Sequence, residues 1–300
     1  MKKNQSSITA MGIAFARAFE SSKPAGERVC YDPLAHHFIS RTFYLFCKFW
    51  VVTGYSERKG PGAIGFLVAR ARYMDDYLQS CIDDGLEQLV ILGAGYDSRA
   101  YRFEGLKGRV KVFEVDHPAT QRVKIAKLEH IFGQLTDHVV YVPIDFTLES
   151  LEERLYASGY DRQLKTLFIW EGVTEYLTAE AADGTLAFIA QNSGPGSSII
   201  FDYVYAAVIE GTWKRGEATS MQRYRNITGE GWSFGIEQGA VEEFLRRRGF
   251  AHVQDADSEF LKTAYFTGIN QQRTVAPVYA IVHATVEPQG SARCVVEESR

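Results

Sequence analysis

The sequence has little of what would assign it to several common protein classes. Its four cysteines form no CxxC pair and have no histidine cluster nearby, so reduced thiols are expected and no bound metal. The most apolar early stretch, Phe43 to Thr53, is shorter than the ~20 residues of a membrane span and contains Lys48. The net charge is only −4, which is not the positive excess typical of nucleic-acid-binding proteins.

Signs of complex organisation are also missing. The 300 residues contain no internal repeat, no low-complexity tract and no long linker. The polar residues after Met1 are not followed by the apolar core of a signal peptide. These features favour a cytoplasmic protein, with neither a nucleic acid nor a membrane as partner. Hydrophobic residues make up 46% and charged residues 23%, an ordinary globular balance that permits a sizeable core.

Short apolar segments alternate with helical ones in the middle of the chain. Strands are predicted at 88–92, 110–115, 139–143, 166–170 and 198–203, and helices between them at 118–132, 150–158 and 179–192. This alternation is typical of an α/β fold with a doubly wound, mostly parallel sheet. Two later strands, at 250–255 and 278–286, bring the sheet to seven strands, and the last of them could be antiparallel.

The chain is expected to divide into three parts. Residues 1–62 would form an N-terminal helical cap, and residues 63–286 a cofactor-binding domain with an insertion at about 205–235. Residues 287–300 are polar and would form a flexible tail. Within the cap, the stretch from Arg41 to Val52 is rich in aromatic residues. It is interpreted either as a helix facing the core or as the wall or lid of a substrate pocket.

A glycine-rich turn follows the first predicted strand, in Leu92-Gly-Ala-Gly-Tyr-Asp-Ser-Arg99. Glycine allows a tight turn and a close approach of the backbone to a ligand at this edge of the sheet. The third glycine of the dinucleotide fingerprint is absent, because Ser98 stands in its place. The turn therefore favours a cofactor without phosphates to bind, although a tight turn without any ligand remains an alternative.

Carboxylates follow the next three strands. Asp116, with Glu114 before it, is spaced to accept hydrogen bonds from ribose hydroxyls, although it could instead cap a helix. Asp145 and Phe146 could contact an adenine, with a helix cap again as the alternative. Glu171 ends the fourth strand, where it could face an ammonium or sulfonium group. Such an acidic rim suits a cationic cofactor better than a diphosphate.

In their order, the motifs resemble the leucine carboxyl methyltransferase family in its bacterial and archaeal branch. The matching segments are Leu92-Gly-Ala-Gly-Tyr-Asp-Ser-Arg99, Glu114-Val-Asp-His-Pro118, Pro143-Ile-Asp-Phe146 and Trp170-Glu-Gly-Val-Thr-Glu-Tyr-Leu177, with Arg70-Ala-Arg-Tyr-Met-Asp-Asp76 upstream. The resemblance covers about residues 8–205. It implies a class I methyltransferase fold, which is Rossmann-like, and S-adenosylmethionine as the cofactor.

The resemblance also implies roles for individual residues. Gly93 and Gly95 would line the methionine part of the cofactor, and Arg70 would pair with its carboxylate unless it is only a solvent-exposed helix charge. Arg17 is a further candidate in the N-terminal segment. The complete set of implied cofactor-binding residues is Arg70, Gly93, Ala94, Gly95, Asp97, Glu114, Asp116, Asp145, Phe146 and Glu171.

The predicted function is O-methylation, with a carboxylate of a small and hydrophobic molecule as the favoured acceptor and a hydroxyl as the second choice. A protein C-terminus is less expected, because no motif identifies its recognition. A carboxylate needs no general base, whereas a hydroxyl would use one, with Tyr176, Glu175 and His117 as candidates. Two other classes stay open: an NAD(P)-dependent oxidoreductase with a Rossmann fold, and a non-catalytic cofactor-binding interaction protein.

Overall fold

The fold is organised around one seven-stranded sheet. The computed structural model describes residues 8–146, 148–213 and 231–287. The strands are β1 (Gln88–Leu92), β2 (Lys111–Asp116), β3 (Val139–Pro143), β4 (Thr166–Trp170), β5 (Ser198–Val204), β6 (Phe250–Ala256) and β7 (Tyr279–Val286). Their order is β3-β2-β1-β4-β5-β7-β6, with β1 to β5 parallel and β7 antiparallel to both of its neighbours.

Helices cover both sides of the sheet. In chain order they are α1 (Ile8–Ser21), α2 (Arg41–Val52), α3 (Tyr55–Lys59), α4 (Ala63–Asp83), α5 (Arg99–Arg102), α6 (Pro118–Phe132), α7 (Leu151–Ala157), α8 (Ala179–Gln191), α9 (Ala206–Ile209), α10 (Val241–Arg246) and α11 (Ser258–Tyr265). None of the helices in these ranges is long and apolar enough to cross a membrane.

The central strands are mostly apolar because the sheet is covered on both faces. Every residue of β1, β4 and β5 is buried, as expected for strands at the centre of a doubly wound sheet. The strand order reverses between β1 and β4, since β1 continues to β2 on one side and β4 to β5 on the other. A crevice opens at the carboxyl ends of strands at such a reversal, and this is where α/β proteins bind ligands.

The predicted seven-stranded, mostly parallel sheet is confirmed, and β7 is the single antiparallel strand of the described sheet.

Several short helices were not predicted from the sequence, among them α5, α9 and α11. The segment Asp32-Pro-Leu-Ala35 is typical of a helix start, with Asp32 as the N-cap, but only a 3-10 turn forms, at Ala35–Phe38. Asp32 still acts there, since its Oδ1 accepts hydrogen bonds from the backbone of Leu34 and Ala35.

The aromatic stretch forms α2 with the predicted bounds, but neither interpretation describes it fully. No residue of α2 is buried, although Phe43, Tyr44, Cys47 and Val51 pack against the core with one side. The opposite side is exposed to solvent. The helix is therefore attached to the protein by half of its surface only.

The predicted division into cap, domain and tail stays a prediction. Residues 214–230 of the expected insertion and residues 288–300 of the expected tail lie outside the described residues. Helix α1 packs against α4, and its Phe15 is buried in the same hydrophobic core as the strands. The N-terminal segment thus shares its packing with the sheet domain.

The packing of α4 gives a test of the fold with an internal control. A Cβ at Gly65 would overlap the carbonyl oxygen of Thr274, whereas a Cβ at Gly184, inside α8, would meet nothing within 4 Å. We expect Gly65→Ala to lower the free energy of unfolding by about 1–3 kcal/mol, because backbone must move to admit the methyl group. Gly184→Ala should be neutral or raise it by up to about 1 kcal/mol through helix propensity. Urea denaturation of both variants checks this, and equal effects would contradict the packing.

Candidate active site

A cleft of about 700 Å³ opens at the carboxyl ends of β1, β2 and β4, at the reversal of strand order. One wall is helix α1, which contributes Thr9, Ala10, Ile13 and Arg17. The other lining residues come from the ends of the strands and from the loops that follow them: 91–97, 116, 117, 120, 144–146, 171–173, 176 and 231. The cleft therefore combines a polar floor with apolar side chains from α1 and the β4 loop.

The turn after β1 needs glycine for its conformation. Gly93 and Gly95 both have positive φ angles, +67° and +45°. A Cβ on Gly93 would also overlap the side chain of Val173 from the loop after β4. The turn is fixed further by the backbone N–H of Ala94, which donates to the carbonyl of Val115 at 3.0 Å. The glycines thus allow two loops to meet closely at the floor of the cleft.

Asp116 is held by backbone hydrogen bonds at the end of β2. Its Oδ2 accepts from the N–H of Gly95 and its Oδ1 from the N–H of His117, both at 2.6 Å. Burial raises the pKa of Asp116, and these backbone hydrogen bonds oppose the shift. A carboxylate oxygen has two acceptor positions, so each oxygen can still accept from a ligand hydroxyl. The alternative role as a helix cap belongs instead to His117, whose Nδ1 accepts from the N–H of Ala119 at 3.2 Å.

Glu171 is surrounded by three arginines from three different elements. Its Oε2 accepts from Arg99 Nη1 at 2.7 Å and its Oε1 from Arg70 Nε at 3.1 Å. Arg17 Nη1 lies 3.9 Å from Oε1. Burial alone would raise the pKa of Glu171, but the charges of Arg99, Arg70 and Arg17 outweigh it and hold this pKa well below its usual range. Glu171 is thus an anion at every pH at which the protein would work.

Each arginine around Glu171 has a further acidic partner. Arg17 Nε donates to Asp32 at 3.0 Å, and its Nη2 donates to the carbonyl of Tyr96 at 2.6 Å. Arg99 donates to Asp97 and, at 2.7 Å, to Asp75.

Arg70 is tied to β5 by Asp202. Arg70 Nη1 donates to Asp202 Oδ2 at 2.5 Å, and Asp202 Oδ1 accepts from the N–H of Gly172 at 2.7 Å. The negative charges of Asp202 and Glu171 raise the pKa of Arg70 against the effect of burial. We call Glu171, its three arginines and Asp202 the Glu171 network. It fixes the loop after β4 at the edge of the cleft.

Most of the predicted site residues line this cleft. They are Gly93, Ala94, Gly95, Asp97, Asp116, His117, Asp145, Phe146, Glu171 and Tyr176. Glu175 is buried outside the lining, and its carbonyl accepts from the N–H of Ser233 at 2.8 Å. The structure brings the ends of β1, β2, β3 and β4 together as predicted from the carboxyl-end rule.

Arg70 and Glu114 lie elsewhere than expected. Arg70 is buried and touches Glu171 from the side of α4, so it is neither part of the cleft lining nor a solvent-exposed helix charge. Glu114 points away from the cleft and pairs with the buried Lys124, at 2.7 Å between Nζ and Oε2. Burial raises the pKa of Glu114 to about 7. Both residues therefore lie behind the cleft and not at its surface.

Two partners in the Glu171 network, Asp202 and Arg99, were not predicted from the sequence. Asp202 stands within a continuous apolar strand, where an acid is costly to bury without a partner, and this was a usable signal. Arg99 is the last residue of the glycine motif, and no separate role was predicted for it. Among the described residues, no group of three or more His, Cys, Asp or Glu side chains is arranged to hold a metal ion.

Comparisons with known proteins identify a family of methyltransferases. The sequence model described as leucine carboxyl methyltransferase matches residues 10–190. A Bacillus subtilis protein named "Putative S-adenosyl-L-methionine-dependent methyltransferase" is 27% identical, over 95% of this chain and 99% of its own length. A Streptomyces coelicolor protein of the same name is 32% identical, over 67% of this chain and 70% of its own.

A solved structure shares the fold. The crystal structure of a "putative methyltransferase" from Thermobifida fusca aligns with 96% of this chain and 97% of its own, with a TM-score of 0.57 and 11% identity. At that identity the likeness concerns the arrangement of the strands and helices alone.

The depressed pKa of Glu171 predicts how acid affects stability. The contribution of the ionised Glu171 to the free energy of unfolding is complete above the ordinary carboxyl pKa of 4.5. It is lost as the pH falls towards the lower pKa that Glu171 has in the folded state. Glu171→Gln should lower the free energy of unfolding by about 3–5 kcal/mol at pH 7, because three buried guanidinium groups lose their shared anion.

The difference in the free energy of unfolding between wild type and Glu171→Gln should become smaller between pH 5 and 3 (about two units, across the carboxyl range). Denaturant titrations at several pH values measure this difference. The matched control is Glu242→Gln, which removes a surface pair with Arg246 and should change little at any pH. A difference that stays constant with pH would contradict the assigned charge state of Glu171.

Proposed function

The chain belongs to the leucine carboxyl methyltransferase family, and on that premise we propose that it transfers the methyl group of S-adenosylmethionine to a carboxylate oxygen of a small molecule. The activity class, an S-adenosylmethionine-dependent methyltransferase, follows from the family and its relatives. The observation that carries the finer proposal is the cleft itself, which Asp116, Arg17 and Glu171 line at the reversal of strand order.

The residues of the cleft fit the cofactor. Asp116 offers acceptors for ribose hydroxyls, and Arg17 places a guanidinium group in the lining for a carboxylate. Gly93 and Gly95 carry no side chains, so the backbone of the floor can lie close to a ligand. Phe146 is half-exposed at the rim, where an aromatic ring can flank a base. When bound, S-adenosylmethionine supplies a methyl group on a positively charged sulfur, and the anionic Glu171 favours such a cation nearby.

Two of the three candidate bases, His117 and Glu175, are poorly placed to take a proton, which favours an acceptor that needs no base. The Nδ1 of His117 accepts a backbone hydrogen bond, so the proton of a neutral imidazole is assigned to Nε2 by this contact. That nitrogen then has no lone pair with which to take a proton from an acceptor. Glu175 is buried away from the lining. A carboxylate is already ionised at neutral pH and avoids the requirement.

The rest of the cleft supports a hydrophobic acceptor. Ala10 and Ile13 of α1 and Val173 of the β4 loop give its walls an apolar character, and Tyr176 adds a ring. A volume of about 700 Å³ lies in the range of pockets that take small molecules. We therefore propose a small organic acid with an apolar body, with the chain's own residues orienting it and excluding water.

A titration tests the cofactor site. Purified protein should bind S-adenosylmethionine and S-adenosylhomocysteine in an isothermal titration and should not bind NADH. Asp116→Ala should weaken both sulfur nucleotides by roughly tenfold or more, because a hydrogen bond to a charged group is worth about 1.5–3 kcal/mol. Asp137→Ala, which removes an exposed carboxylate outside the cleft, is the control. Binding of NADH alone would favour the oxidoreductase alternative, and binding of none would favour a non-catalytic protein.

The acceptor atom can be identified by the chemistry of the product. Protein is incubated with methyl-labelled S-adenosylmethionine and a panel of lipophilic carboxylic acids, matched amides and matched alcohols. A methyl ester releases labelled methanol in mild base, whereas methyl ethers and methylamines do not. We expect base-labile label with the acids only, and Asp116→Ala should reduce it strongly. Base-stable label on an alcohol or amine would retain the methyltransferase and overturn the carboxylate.

A further inference from the structure

Helix α2 presents an apolar face to solvent. Leu45, Phe46, Phe49 and Val52 are 54%, 60%, 61% and 70% exposed, and we call these four residues the α2 face. Single exposed apolar residues are common, but these four lie side by side on one helix and form a contiguous patch on the order of a few hundred Å². A patch of this size usually marks a contact with something else.

The orientation of α2 is fixed by its other side. The ring of Tyr44 packs 5.7 Å from that of Phe15 on α1, and Tyr44 donates to Ser22 at 3.4 Å. Trp50 packs against Tyr55, with 4.4 Å between the ring centroids. The helix is therefore held in place on α1, and rotation that would bury the α2 face would break these contacts.

The surroundings of the α2 face are positively charged. No Asp or Glu occurs between Pro33 and Ser56, although the chain contains 37 acidic residues. Arg41 and Lys48 are exposed on α2. At 3.6 residues per turn they lie within about 60° of Leu45 around the helix, along one edge of the α2 face. The nearest acid along the chain, Glu57, is exposed on α3, outside α2, and its Oε1 accepts from the N–H of Gly62 at 2.9 Å and from Thr274.

We propose that the α2 face lies on the surface of an anionic lipid bilayer. An apolar helix face of Phe, Leu and Val bordered by Arg and Lys is the pattern of interfacial helices, which insert the apolar side among the lipid headgroups. Anionic headgroups complement Arg41 and Lys48. The proposal concerns the attachment of the protein and does not rest on the proposed reaction.

A second copy of the chain fits the same face less well. Two α2 faces in contact across a two-fold axis would bring together patches that both carry Arg41 and Lys48. Helix α2 contains no carboxylate to pair with them. Contact with a bilayer would contradict the expectation, drawn from the sequence, that the protein has no membrane partner. That expectation rested on the length of the stretch, and twelve residues of helix, about 18 Å long, exclude a span but not a surface contact.

Vesicle co-sedimentation of the full chain tests the proposal. Wild type should bind vesicles of equal parts phosphatidylglycerol and phosphatidylcholine, bind pure phosphatidylcholine vesicles weakly, and lose affinity at about 0.5 M salt. Phe46→Ser/Phe49→Ser should weaken binding by roughly tenfold or more by removing most of the inserted area. Lys48→Glu should weaken it at low salt by several-fold. Because all three side chains are exposed, thermal unfolding of the variants should match wild type.

Matched controls separate the α2 face from general stickiness. Leu148→Ser/Ile269→Ser removes two exposed apolar side chains elsewhere, and Arg109→Glu makes the same charge change as Lys48→Glu. Both controls should bind as wild type does. Absence of wild-type binding to the anionic vesicles, or binding that Phe46→Ser/Phe49→Ser leaves unchanged, would overturn the proposal. So would a dimer in analytical ultracentrifugation that the same variant converts to monomer, since a second copy would then cover the face.

Discussion

The carboxylate of Glu171 is the point on which the arrangement of the cleft depends. Its oxygens draw together Arg17 from α1, Arg70 from α4 and Arg99 from α5. Asp202 adds β5 to the same set, through Arg70 and the N–H of Gly172. Elements far apart in the chain are therefore held at one edge of the sheet by charge as well as by apolar packing.

Such a network is a costly way to hold a protein together. Taking several charges out of water costs free energy that their mutual attraction often does not recover, and well-packed apolar residues would serve stability as well or better. The cost is visible in the nitrogens Arg70 Nη2 and Arg99 Nη2, which are buried without a hydrogen-bond partner among the described residues. The network is easier to understand as a fixed electrostatic environment: the anionic Glu171 and the guanidinium group of Arg17 both border the cleft, and neither can reorient easily.

The sequence predicted the strands and turns, which depend on residues close together in the chain. Each buried strand shows as a short apolar run, and the glycines at 93 and 95 mark the turn because no other residue suits its backbone. Since parallel strands end at the same edge, the positions of Asp116 and Glu171 at the cleft followed from their places at strand ends. The ion pairs of the Glu171 network could not be predicted from the sequence. Arg70 and Asp202 lie 132 residues apart, and no local pattern says which acid a buried arginine will meet.

Helix α1 connects the two surfaces for which partners are proposed. Its residues Ala10, Ile13 and Arg17 border the cleft, whereas Phe15 on the opposite side packs against Tyr44 of α2. Helix α2 is thus separated from the cleft by the thickness of α1, and the α2 face lies on the outer side of α2. A small acid with an apolar body partitions into lipid, where its concentration exceeds that in water. An enzyme bound to a bilayer through α2 would meet such an acceptor at the membrane surface. The apolar walls of the cleft and the exposed face of α2 would then both suit an acceptor with an apolar body.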